Sequence, residues 1–160
     1  MFTVNVKIKQ SNKNAYKDLL KRLQHMSSKK VAAGFPKGKL NNPHYDDGAS
    51  IIDVAIWNEF GIGVPRRDFM GPATAEWQKF VTQQLELYKD DLISGKIDIE
   101  TFLSQMGAEG ASLISDSIVK LKEPPNSPVT IALKGGKNNP LVDSGDLSKA
   151  PTYELRNKNK

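Results

Sequence analysis

The stretch from Ser50 to Phe69 constrains this chain more than any other. Ser50 is a good N-cap, and Asp53, three residues on, is the acidic first-turn partner of an Asp-type capping box. The residues around Asp53 (Ile51, Ile52, Val54, Ala55, Ile56, Trp57) are apolar almost all round, which predicts a short helix buried on most sides. Gly61 suits the position after a helix, where φ > 0 ends it. Beyond it Gly63, Pro65, Arg66 and Arg67 predict an exposed, semi-rigid loop, and Phe69 returns to the apolar phase. A buried helix feeding an arginine-bearing loop reads as a scaffold that presents a contact surface. Arginine's planar fork is favoured at such surfaces for bidentate contact with a neighbour's carboxylates.

The flanking segments supply the rest of the fold. Phe2, Val4, Val6 and Ile8 alternate with polar residues, the period of a half-buried edge strand. Ser11 or Asn12 then caps an amphipathic helix with Tyr16, Leu19, Leu20, Leu23 and Met26 on one face and Lys13, Lys17, Lys21 and Arg22 on the other. Val31, Ala33 and Phe35 alternate through a second strand that Pro36 stops. Residues 37–49 are rich in turn formers and read as a mobile loop. A long helix is expected from Gly71-Pro72 to about Ser94, ended by Gly95. Asp98 caps the next, whose apolar face runs from Ile99 to Leu121, and Gly107 and Gly110 within it call for close packing. The short Gly95–Ile97 connection makes the two an antiparallel pair. Prolines and glycines mark residues 124–146 as an extended excursion outside the core. A short helical turn within Ser144–Ala150 and a last strand over Thr152–Arg156 complete the reading, with a basic tail at 157–160. The prediction is one α+β domain over residues 1–160: a small antiparallel or mixed sheet of about three or more strands, packed against several helices including a long antiparallel pair.

Composition narrows the function classes. There is no cysteine, so no disulfide framework, thiolate metal site or cysteine nucleophile. No apolar run approaches the ~20 residues of a membrane span, and the first residues lack the basic-then-apolar order of an export signal. The net charge of +5 is unevenly spread. Residues 1–44 hold ten Lys/Arg against one acid, whereas residues 45–148 hold nine against sixteen. Such a division invites head-to-tail self-association, or else describes ordinary solvated faces.

No motif for catalysis is evident. Lys134-Gly135-Gly136-Lys137 lacks the spacing of a phosphate loop and reads as a flexible basic turn. His25 lies near the end of a helix, where a dipole role suffices. His44 with Asp46 and Asp47 lacks calcium-loop spacing, so no metal is expected. Asp143-Ser144-Gly145-Asp146 lacks a nucleophile elbow and reads as a turn held by side-chain-to-backbone bonds. Asp53 and Glu59 do not share a helix face, so they form no paired-carboxylate site. Trp57 and Trp77 read as core anchors. No catalytic residue and no cofactor are expected.

Three segments, in order, carry a resemblance. They are Asn58-Glu59-Phe60-Gly61 running into Pro65-Arg66-Arg67-Asp68-Phe69; Pro124-Pro125-Asn126-Ser127-Pro128-Val129-Thr130-Ile131 followed by Lys134; and Pro140-Leu141-Val142-Asp143-Ser144-Gly145-Asp146-Leu147. Together they resemble the minor tail and virion-morphogenesis proteins of tailed bacteriophages, with Asp68 where that family usually has proline and Ser144 where it has threonine. The resemblance implies a structural protein, not an enzyme, made in the bacterial host cytoplasm and built into the virion neck or head-proximal tail. There it would form a homo-oligomeric ring, hexameric by the same resemblance, that completes the tail and joins it to the head. Its partners would be other phage neck and tail proteins, with passing contact to genomic DNA. The subunit interface implied is Arg66, Arg67, Asp68, Phe69, Pro124, Pro125, Asn126, Leu141, Asp143 and Ser144. The alternative is a non-specific nucleic-acid-binding protein using Lys13, Lys17, Lys21 and Arg22 on its basic helix.

Overall fold

The structure, a computed structural model, describes residues 13–36 and 38–158 of the chain. In order, these form α1 (Lys13–Ser28), β1 (Lys29–Gly34), a 3-10 turn (Lys39–Asn41), α2 (Ile51–Phe60), α3 (Met70–Ser94), α4 (Ile99–Lys120), α5 (Pro128–Leu133), α6 (Asp146–Lys149) and β2 (Thr152–Asn157). The chain is thus of mixed α+β class. β1 and β2 pair antiparallel from Lys29 opposite Asn157 to Gly34 opposite Thr152, a two-stranded sheet among the described residues. The alternating stretch from Phe2 to Ile8, expected as a further strand, lies outside the described residues.

The helix ends follow local chemistry. Ser50 accepts from the Asp53 amide at 3.1 Å and Asp53 accepts from the Ser50 amide at 2.9 Å, closing the capping box. Gly61 adopts φ 73° and ends α2, and Gly95 adopts φ 81° and ends α3. Asp98 accepts from the Glu100 and Thr101 amides at 2.9 and 3.0 Å and starts α4. At the start of α3 the N-cap position is Phe69, whose side chain has no acceptor. The orphan amides are satisfied from elsewhere: Glu59 Oε2 accepts from the Phe69 and Met70 amides, both at 3.1 Å, and Asp68 Oδ1 from Gly71 at 2.8 Å. Two carboxylates thereby sit at the positive end of a 25-residue helix.

α3 and α4 pack as the expected hairpin, and α4 also lies across the sheet. Trp77 of α3 donates to the Met106 carbonyl of α4 at 2.7 Å. Gly107 and Gly110 make the close approach. A Cβ at Gly107 would stand 2.6 Å from the Tyr153 ring and from Val31, and one at Gly110 would stand 2.7 Å from the Trp77 indole. The compensation for two helical glycines is mainly helix-on-sheet contact. Gly107→Ala should therefore lower stability by roughly 1–3 kcal/mol through overpacking, although glycine-to-alanine at an open helical site gains about 1 kcal/mol. A denaturant melt in which Gly107→Ala is more stable than the parent would contradict this packing.

Apolar residues gather in two clusters. One, around Ile51, Ala55, Phe69, Ala73, Ile114, Ile118, Leu141 and Leu147, joins α2, α3, α4, α6 and the segment before α6. The other, of Leu92, Ile99, Phe102 and Met106, lies at the turn of the hairpin.

Several expectations are corrected here. α2 is not buried on most sides, since Ile56 and Phe60 are exposed. An apolar run without phase gives no signal for which face turns outward. The segment 37–49 is not a featureless loop: where described it holds the 3-10 turn, and the Ala49 carbonyl accepts from the His44 and Tyr45 amides at 2.9 and 3.1 Å. Nor does 124–146 stay outside the core. It contains α5, capped by Ser127, and delivers Leu141 into the first cluster. Trp57 is only half-buried, whereas Phe69 and Ile118 are the fully buried large side chains.

Candidate functional site

Two of the three segments that carry the resemblance meet at one side chain, and the third joins them through Asn126 and Lys134. Arg67 is 7% exposed, and each of its guanidinium nitrogens is used. Nη1 donates to Asn58 Oδ1 at 2.8 Å, Nε to the Pro124 carbonyl at 3.1 Å, and Nη2 to the Pro125 carbonyl and Asn126 Oδ1, both at 3.3 Å. Its own amide donates to the Asn58 carbonyl at 2.7 Å. Asn58 is held in turn by donating to the Val54 carbonyl at 2.8 Å. Burial holds the Arg67 guanidinium below its ordinary pKa, but arginine remains a cation. Its acceptors are all neutral amides. Full hydrogen bonding, without a counter-ion, offsets its desolvation.

The third segment joins through Asn126 and Lys134. Asn126 Nδ2 donates to the Asn139 carbonyl at 3.2 Å, and Lys134 Nζ donates to the carbonyls of Asn139, Pro140 and Val142 at 3.2, 3.5 and 3.3 Å. Asn139 Oδ1 accepts from the Leu141 and Val142 amides at 3.1 Å each. Lys134 is thus an internal tie, not the flexible basic turn expected. Its ammonium is pushed down in pKa, first by burial, with the charges of Arg67 and Lys137 adding to the fall and Asp143 opposing it. The three segments line a cleft of about 390 Å³, with Tyr45 and Val54 on its wall. The Tyr45 phenol is raised by burial and then by the charges of Asp146, Asp143 and Asp47.

The expected interface residues separate into two groups. Arg66 (side chain 63% exposed), Asp68, Asp143 and Ser144 are exposed. Arg67, Phe69, Asn126 and Leu141 are buried within the chain itself. Pro124 is half-buried and Pro125 is exposed. The expected pair of exposed arginines is corrected to one. Arg66 Nε donates to the Glu59 carbonyl at 3.1 Å and its Nη2 reaches Asp68 at 3.2 Å, while Gly61 leaves room for the Arg66 backbone that a Cβ would approach within 3.2 Å. Asn58, Glu59, Lys134 and Asn139 complete the cluster; all four lie inside or beside quoted segments, and none announces a long-range role.

The 143–146 segment carries one bond of the expected side-chain-to-backbone kind, the Asp146 amide donating to Ser144 Oγ at 3.5 Å. Beside it are a side-chain bond from the Ser144 hydroxyl to the Asp146 carboxylate and a bond from Ser148 of α6 to the Gly145 carbonyl at 2.9 Å. His44 Nε2 lies 3.1 Å from Asp146 Oδ2. The carboxylate stands between serine and histidine, so this set cannot pass a serine proton to the imidazole as a hydrolytic triad does. Among the described residues no group of three or more His, Asp or Glu is placed to hold a metal ion, and no helix is long and apolar enough to cross a membrane. No described buried side-chain nitrogen or oxygen lacks a partner. On α1, Lys17 and Lys21 are exposed, whereas Arg22 donates to the Ser94 carbonyl at the end of α3. Lys13 is the first residue of α1.

The chain matches no protein-family model, no curated protein and no solved structure.

The carboxylates set the acid response. Hydrogen bonds from Ser50 hold Asp53 below the ordinary range, amides from Thr101 and Glu100 do so for Asp98, and Ser144 followed by His44 does so for Asp146. A carboxylate depressed in the folded state contributes stability above its unfolded pKa and loses it as pH falls through the folded one. The melting temperature should therefore drop as pH falls below about 4. Glu59 runs the other way: burial raises its carboxyl against the Met70 and Phe69 amides, so its contribution declines as pH rises through the raised value. Replacing Asp53, Asp98 and Asp146 by Asn, which caps without titrating, should flatten the acid limb of a pH series of thermal melts. An acid limb of undiminished slope would count against these three groups.

Proposed function

We propose that this chain is a structural virion protein of a tailed bacteriophage, a subunit that self-assembles as a ring at the neck or head-proximal tail and works by assembly, not catalysis. The observation that supports this reading most is the convergence of the three resembling segments on one cleft, two of them bonded through Arg67. Residues 58, 67, 124–126, 134 and 139–142 form one hydrogen-bonded unit. In this reading the clasp fixes the subunit's shape, and the exposed residues around it (Arg66, Asp68, Pro125, Asp143, Ser144) face neighbours. The stretch from Phe2 to Ile8 would add a third strand to the sheet, and the whole chain would act as one domain. The test is electron microscopy of the purified protein for rings, together with detection of the protein in intact particles. A strictly monomeric protein absent from purified virions would refute the proposal.

The nucleic-acid alternative would use Lys13, Lys17, Lys21 and Arg22 on α1, of which Arg22 also donates to the Ser94 carbonyl at the end of α3. Contacts of that kind are sequence-blind and fade steeply with salt. Tight binding of one defined sequence at physiological salt would favour the alternative over assembly.

A further inference from the structure

Two apolar stripes stand open on opposite types of surface. On α2 the inner face is Ile51, Ala55 and Asn58, while Ile56 and Phe60 point outward and continue into exposed Ile62; Phe60 is 68% exposed. On α1, Leu19 and Met26 are half-buried, whereas Tyr16, Leu20 and Leu23, spaced i, i+4, i+7, are exposed as one stripe. α1 rests on α3 and β1, and α2 rests on the 3-10 turn and α6, so the two stripes belong to different neighbourhoods of one chain.

Their charges are complementary. α2 contains Asp53 and Glu59 and no basic residue, and α1 contains four Lys/Arg against Asp18. The same contrast extends over the chain, from the basic residues 1–44 to the acidic residues 45–148. An amphipathic helix with lysines beside its apolar stripe fits an apolar strip whose helix carries Asp53 and Glu59, with Arg66 the exposed cation beside Gly61.

We infer that the Tyr16-Leu20-Leu23 face of α1 in one copy docks on the Ile56-Phe60-Ile62 face of the next copy. This names the contact for the assembly reading above and rests on it. Because the two faces differ, the contact is heterologous: repeated, it closes into a ring when the rotation per subunit permits, and otherwise grows as a filament. The charge component makes it weaken as salt rises.

The chain has no cysteine, so single introduced thiols report without background. Leu20→Cys and Phe60→Cys, both at exposed positions, are prepared separately as full-length protein, mixed, and treated with a short thiol cross-linker, with size measured by light scattering. The expected result is cross-linked dimer in the mixture and none in either variant alone, with a ladder from the double variant. Leu20→Glu should lose assembly while keeping the parent melting temperature. Assemblies that form without a mixed cross-link, or that cross-link like with like, would overturn this contact and leave the assembly reading standing. A monomer at every concentration would overturn both. Efficient intrachain cross-linking of a Val4→Cys, Leu20→Cys variant without assembly would also overturn it, by showing that the chain's own N-terminal segment covers the α1 stripe.

Discussion

Phe69→Ala should destabilise the chain by roughly 3–5 kcal/mol, the cost of deleting a buried aromatic ring and leaving a cavity. Phe69 is 1% exposed and packs edge-on against Phe35 with ring centroids 6.1 Å apart. Its neighbours come from α2, α3, α4 and the segment before α6, so no single side chain can move to fill the space. The backbone cannot collapse inward cheaply either, because the Phe69 amide is held by Glu59 and the Arg67 amide by Asn58. Trp57→Ala offers the comparison. Trp57 is only half-buried and lies outside the core cluster, so its loss should cost less than that of Phe69 despite its larger ring. Denaturant melts of the two variants decide the order. A greater loss from Trp57→Ala would place the anchor of this region in the wrong residue.

Arg67→Ala should cost about 2–4 kcal/mol, whereas Arg66→Ala should change stability by no more than about 1 kcal/mol. The two arginines are adjacent in sequence and opposite in environment. Removing Arg67 strands four acceptors: Asn58 Oδ1, the Pro124 and Pro125 carbonyls, and Asn126 Oδ1. Three of these bonds run from Arg67 to a loop fifty-seven or more residues away and the fourth runs to Asn58 of α2, so their loss frees the 124–126 segment as well. Arg67→Lys should recover only part of the loss, because an ammonium is a point donor and cannot span four acceptors set around a planar fork. Thermal and denaturant melts check each variant. Read from the sequence as exposed loop residues, both arginines would be replaceable without loss of the fold and with loss only of assembly. Burial of Arg67 reverses the first half for that residue and confines the expectation to Arg66.

What was legible in the sequence is what local chemistry determines. Ser50 with Asp53, Asp98, Gly61 and Gly95 each act within a few residues, and their structure agrees with the reading. The α3–α4 hairpin and both described strands follow from apolar periods. Close helix packing at Gly107 and Gly110 was anticipated and holds at Gly110 against Trp77 of α3, but the contact with the sheet through Val31, Ala33 and Tyr153 was not. The rest depended on distance along the chain. Arg67 and Lys134 look like solvated loop cations because nothing near them in sequence marks carbonyls from other segments as partners. Pro and Gly made 124–146 read as an excursion, yet Asn126 and Asn139 knit it to Arg67 and to α4 through side-chain bonds that no periodicity encodes. The outward face of α2 was invisible because Ile, Val and Trp occupy every phase of the helix.

The central claim is that Arg67 couples α2 to the 124–126 segment, and a double-mutant cycle between Arg67→Ala and Asn126→Ala tests it most directly. If the two side chains share one network, the double variant should lose less stability than the sum of the single variants, by a coupling of about 0.5–3 kcal/mol. Strictly additive losses would mean that Arg67 and Asn126 act independently and that the clasp joining the segments does not exist.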